Sequence, residues 1–157
     1  MYAVDVDGDG DVDVLSASQN DDTIGWYENV DGAGASWTAH RIDPSPGADH
    51  AQTVFAIDMD LDGDIDVLSA SYLDNTVAWY ENMDGSGTSW GYYPISTTAN
   101  GAWGVFAIDV DGDGDVDVLS ASRWVGFGVR FWTGPVWTGY PGKRVFACLG
   151  SPAGPSQ

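Results

Sequence analysis

The chain has 157 residues, 43% of them apolar and eight of them Trp, which suits one domain with a core. A net charge of −19 excludes nucleic acid and anionic membrane surfaces as natural partners. The single cysteine, Cys148, excludes an intrachain disulfide framework, and no apolar run reaches membrane-spanning length, so no membrane insertion is expected.

The chain opens on Met1-Tyr2-Ala3 and enters an acidic stretch at once, Asp5–Asp13, D-V-D-G-D-G-D-V-D. The stretch returns as Asp58–Asp66 (D-M-D-L-D-G-D-I-D) and as Asp109–Asp117 (D-V-D-G-D-G-D-V-D). At an effective dielectric near 20, two like charges about 5 Å apart repel by roughly 3 kcal/mol. Five carboxylates in nine residues therefore call for a cation, and oxygen-only donors select a hard one. Calcium is the ion the spacing predicts, up to three, one per loop. Positions 1, 3, 5 and 9 supply side chains: Asp5, Asp7, Asp9 and Asp13, then Asp58, Asp60, Asp62 and Asp66, then Asp109, Asp111, Asp113 and Asp117. Position 7 supplies a backbone carbonyl, from Asp11, Asp64 and Asp115. Position 6 is glycine in all three copies (Gly10, Gly63, Gly114), which predicts positive φ there, whereas position 4 (Gly8, Leu61, Gly112) tolerates a side chain.

An EF-hand loop begins similarly but ends in a bidentate Glu at position 12 between two helices. Position 12 here is Ser16, Ser69 and Ser120, inside V-L-S-A-S runs that favour extended chain. The EF-hand is excluded.

More than the loop repeats. Asp5 to Asp58 is 53 residues and Asp58 to Asp109 is 51. Downstream, Thr23–Gly32 (T-I-G-W-Y-E-N-V-D-G) matches Thr76–Gly85 (T-V-A-W-Y-E-N-M-D-G), and Trp37 and Trp90 fall at one offset. The second unit reads as four strands, near Thr53–Asp58, Ile65–Tyr72, Thr76–Asn82 and Trp90–Ser96, with turns at Leu73-Asp74-Asn75 and Asp84–Gly87. Four antiparallel strands in about 50 residues make a β-propeller blade, so the fold class is all-β, an incomplete propeller. Kelch repeats share the length and WD-type repeats the strand count, but neither explains an acidic loop in every unit.

The loop D-x-D-x-D-G-D-x-D followed by V-L-S-A-S resembles the FG-GAP and VCBS repeats, including the calcium blades of integrin α-subunit propellers, over roughly residues 1–122. The resemblance implies a calcium-stabilised propeller module of an extracellular or cell-surface protein, binding a protein or glycan ligand, with the fifteen loop aspartates named above as its metal residues. The Phe-Gly…Gly-Ala-Pro signature is absent; Val54-Phe55-Ala56 and Val105-Phe106-Ala107 stand in its place. No enzyme activity is expected. Some polysaccharide lyases resemble this architecture, but a lyase needs a cationic clamp, and Arg41 is the only basic residue before Arg123. A structural spacer is the remaining alternative.

The aromatics of Trp26-Tyr27-Glu28-Asn29 and Trp79-Tyr80-Glu81-Asn82 are expected to pack between blades rather than stack on sugars. His40 and His50 read as loop histidines, without zinc partners at ligand spacing. Met1 aligns with Val54 in mid-strand, and no secretory leader precedes the first loop, so the chain reads as beginning inside a longer protein. After Ser122 the repeat is expected to fail, because Arg130-Phe131-Trp132 stands where Trp79-Tyr80-Glu81 should recur; residues 123–157 form a diverged, basic tail, disordered or mis-translated. An open arc of blades leaves raw edges through which the chain is expected to self-associate.

Overall fold

A computed structural model of the chain describes residues 1–43 and 48–123 and the backbone of 128–132. Among these residues all regular structure is β. The first sheet orders β1 (Tyr2–Val4), β2 (Asp13–Ser18), β3 (Thr23–Asn29) and β4 (Trp37–Arg41) as neighbours. The second repeats it with β5 (Ala51–Ile57), β6 (Asp66–Ser71), β7 (Thr76–Asn82) and β8 (Trp90–Ser96). The third holds β9 (Ala102–Ile108), β10 (Asp117–Ser122) and β11 (Gly128–Trp132). Every pairing is antiparallel between sequence neighbours, so each sheet is a meander and a propeller-like blade.

The predicted third and fourth strands of the second unit coincide with β7 and β8. The first begins earlier, at Ala51, because Ala51 pairs with Ser71 across a bulge before Thr53 takes up register with Ala70. Pro94 sits in β8, an outer strand and so a place where a sheet tolerates proline, next to the bulge between Val77 and Ala78 on β7.

Past Ser122 one expectation is corrected. The chain forms β11, which pairs with β10 through Val118↔Trp132, Leu119↔Phe131 and Ser120↔Arg130. The equivalent pairs in the second blade are Val67↔Tyr80, Leu68↔Trp79 and Ser69↔Ala78. Phe131-Trp132 thus occupies the register of Trp79-Tyr80, displaced by one residue relative to the 51-residue spacing. One residue more separates β10 from β11 than β6 from β7, so an ungapped alignment misses the third strand. Residues 133–157, with Cys148, lie outside the described residues.

The hydrophobic core sits between the sheets. One cluster joins the first and second blades through Leu15, Ile24 and Trp26 on one side and Val67, Ala78 and Tyr80 on the other. The other joins the second and third through Leu68, Val77 and Trp79 against Val105, Ala107 and Val118. Along the first strands, equivalent rings stack in series. Tyr2 and Phe55 are 5.1 Å apart edge-on, and Phe55 and Phe106 are 4.7 Å apart.

Links between blades repeat too. Asp22 and Asn75 occupy one position, both with positive φ, and each side chain accepts a 2.8 Å bond from the residue that turns the chain into the next blade, His50 N or Gly101 N. The φ values there, 60° and 65°, lie in the left-handed region, which glycine adopts freely and His50 does not.

Candidate metal centres

Each acidic loop joins the first strand of a blade to the second, so a short hairpin end must fold nine residues into a tight coil. The loop backbone does this by bonding to its own carboxylates. Asp5 accepts bonds from Gly8 N and Gly10 N, both 2.9 Å, through its two oxygens. Asp109 does the same with Gly112 N (2.7 Å) and Gly114 N (3.0 Å). In the first and third loops the aspartates at positions 3 and 5 each accept an N–H two residues on, as in Asp7 from Asp9 and Asp9 from Asp11. This coil requires positive φ at position 6, as expected (Gly10 96°, Gly63 104°, Gly114 96°).

It also requires positive φ at position 4, which the sequence reading did not foresee. Gly8 (75°) and Gly112 (77°) meet this freely, but Leu61 is held at 62° with its side chain 60% exposed. The second loop bonds Asp58 to Asp62 N (3.1 Å), one residue later than the Gly8 and Gly112 bonds of its sister loops, and keeps the position-6 bond through Gly63 N.

The carboxylates converge. One oxygen from each of Asp5, Asp7 and Asp13 lies within 4.8 Å of the others, and the same holds for Asp58, Asp60 and Asp62 and for Asp109, Asp111 and Asp117. Asp9, Asp66 and Asp113 stand outside these trios. Position 9 has a second task. Asp13, buried at the start of β2, accepts Val6 N at 3.1 Å and Asn29 N at 2.8 Å, and Asp66 accepts Met59 N at 3.1 Å and Asn82 N at 2.8 Å. This carboxylate therefore pins the loop's entry to the third strand. The side chain of position 7 turns to the far hairpin: a Cβ on Gly32 would stand 2.5 Å from the Asp11 oxygens, and one on Gly85 2.7 Å from those of Asp64. Glycine is needed there for the loop to lie against the β3–β4 and β7–β8 turns.

Electrostatics mark the same places. Burial raises the Asp7 carboxyl above its ordinary value, with repulsion from Asp9 and Asp13 adding to it against a backbone bond from Asp9. Burial likewise raises Asp117, where Asp111, Asp113 and Asp109 repel it. In Asp62 the backbone bond from Asp64 lowers the value, but burial and the charges of Asp60 and Asp64 outweigh it. Asp66, buried behind the second loop, is pushed up to about 7, chiefly by desolvation. A cation among these carboxylates would offset the repulsion that helps to raise them. The donor set is all oxygen with three converging carboxylates, which fits a hard divalent ion.

The other sequence-level candidates resolve into packing. Trp26, Trp79 and Tyr80 are buried between blades. His40 is not in a loop but on β4, where it stacks on Trp26 at 4.4 Å and places Nε2 2.8 Å from Glu28 Oε2. Asp31–Gly34 and Asp84–Gly87 are hairpin turns, with Asp31 Oδ1 accepting Ala33 N and Ala35 N at 3.1 Å. Asn82 was missed as a functional residue. Fully buried, it donates to Val6 O of the preceding blade at 3.1 Å and accepts from Gly87 N at 3.0 Å. Its signal was the recurrence of Asn at the end of both W-Y-E-N runs.

Three antiparallel meanders packed face to face, each with an acidic loop between its first two strands, define a β-propeller-like repeat module. Its repeats match the FG-GAP-like repeat over residues 5–69 and 58–120, and the chain belongs to that family of repeat modules. Both matches open on the first aspartate of a loop, Asp5 or Asp58. No curated protein and no solved structure matches the chain.

Proposed function

We propose that the chain is a calcium-binding β-propeller repeat module of an extracellular or cell-surface protein, which binds a protein or glycan ligand in adhesion-type recognition. The observation that carries this is the recurrence, at one position in three blades, of a trio of carboxylates with oxygens within 4.8 Å of one another. The ions act structurally. Each loop ties the first strand to the second, and its ninth-position carboxylate ties it to the third, so filling a loop braces a blade. The extracellular setting follows from affinity: partly exposed loops of this kind fill where calcium is millimolar. The surface supports a neutral or cationic ligand better than an acidic one, because one divalent ion per loop brings the net charge only from −19 to −13.

Differential scanning calorimetry and titration calorimetry on the full chain test this. Calcium at about 100 times its dissociation constant stabilises the fold by about 2.7 kcal/mol per site. The melting temperature should rise in millimolar calcium and fall on chelation, and Asp60→Asn with Asp62→Asn should abolish one site. Absence of binding heat together with a melt indifferent to chelator would refute the reading.

A further inference from the structure

The first two acidic loops meet at one hairpin, β7–β8 of the second blade, whose turn is residues 83–89. The second loop holds this hairpin from one side. Its Asp64 carboxylate lies against the turn, where a Cβ on Gly85 would stand 2.7 Å from the Asp64 oxygens. Its Asp66 accepts the N–H of Asn82, the last residue of β7, at 2.8 Å. On the other side the turn is seated on the first blade. A Cβ on Gly87 would stand 2.6 Å from the Trp26 ring, so the turn backbone rests directly on that indole.

The Asn82 side chain completes the connection. Its amide donates to Val6 O at 3.1 Å while its Oδ1 accepts Gly87 N at 3.0 Å. Val6 stands between Asp5 and Asp7, two members of the first trio, and its N–H is held by Asp13, the third, at 3.1 Å. Asp13, Val6, Asn82 and Asp66 are all buried, so the path from one loop to the other lies out of contact with solvent.

We infer that Asn82 is a positioning residue for the metal centre of the first loop, and that the first two loops fill cooperatively through it. When the second loop is filled its backbone is fixed, and with it the end of β7 that Asp66 holds and the turn that Asp64 touches. The turn then presents the Asn82 amide to Val6 in one place. The backbone that carries Asp5 and Asp7 is thereby set before an ion reaches the first trio. Whichever loop fills first orders the joint, and the other meets a smaller ordering cost. The effect is reciprocal by linkage, so the first loop tightens the second by the same factor. Couplings between sites change affinity by about 5- to 150-fold. One buried hydrogen bond and one backbone-on-ring contact place this one at about 10-fold. The inference rests on the calcium reading of the loops.

Titration calorimetry with calcium on three variants of the 157-residue chain tests it, each with the third loop disabled by Asp111→Asn and Asp113→Asn. One keeps the first two loops. One keeps only the first, through Asp60→Asn and Asp62→Asn, and one only the second, through Asp7→Asn and Asp9→Asn. The two-loop chain should bind about 10-fold more tightly than the two single-loop constants predict, and Asn82→Ala should remove this surplus. The surplus should persist from about 0.15 to about 1 M salt, which shortens the screening length from about 8 to about 3 Å, because relief of charge repulsion does not carry it. A second measurement leaves Asn82 in place. In the chain that keeps only the second loop, calcium should slow hydrogen exchange at residues 5–13 more than at residues 109–117, although both loops are disabled alike. Single-loop chains that take up no calcium refute the calcium reading and this inference with it. Calcium uptake with independent constants, a surplus that Asn82→Ala leaves intact or that salt abolishes, or equal exchange in the two disabled loops overturns the inference alone.

Discussion

Asp66 shows how one residue serves two states of a loop. Its carboxyl is pushed up to about 7 by burial, and the two backbone bonds from Asn82 and Met59 only partly offset this. A group whose folded value lies above its unfolded value of 3.8 contributes stability that is complete below 3.8 and is lost as pH rises through about 7. Asp7, Asp62 and Asp117 shift in the same direction. The metal-free protein should therefore melt at a lower temperature near pH 8 than near pH 5, and saturating calcium should flatten or reverse that slope. Asp66→Asn should remove a large part of the slope in chelator. Thermal melts across this range check it, and a metal-free protein that gains stability with rising pH would contradict the assigned burial.

At the scale of the element, the unit that matters is loop plus third strand. Asn82 accepts from Gly87 N in its own hairpin and donates across the joint to Val6 O, the second residue of the first loop. Asp13 in turn accepts Val6 N. One residue of the first loop is thus gripped from its own blade and from the next. Asn82→Ala leaves two buried groups without partners and should cost about 2–4 kcal/mol by denaturant unfolding. Asn29→Ala, whose bonds to Gly34 N and Val12 O stay within one blade, should cost about 1 kcal/mol. Equal costs would mean that the bond across the joint contributes nothing. The strands themselves were legible in the sequence because Thr76–Asn82 and Trp90–Ser96 end on turn residues that punctuate the pattern. The three loops were legible because aspartate recurs at every second position. Other features were not. β11 was hidden by one inserted residue, and the positive φ of Leu61 and His50 by side chains that local sequence disfavours there. The division of labour at position 9 stayed invisible because spacing alone cannot tell a carboxylate that faces an ion from one that holds two N–H groups.

At the scale of the whole molecule, stability should be graded from the middle blade outward, since among the described residues only that blade is covered on both faces. The repeated D-V-L-S-A-S strand supplies an internal control: most of its amides have the same intrinsic exchange rate in β2, β6 and β10 because their neighbours in sequence are the same. Differences in protection therefore report packing and not chemistry. Amides of β6 should be protected at least about 10-fold more than those of β2 and β10, equivalent to about 1.4 kcal/mol of opening free energy. Peptide-level hydrogen exchange measures the gradient. Equal protection of the three strands in dilute protein would mean that blade-to-blade contact is not what holds the sheets.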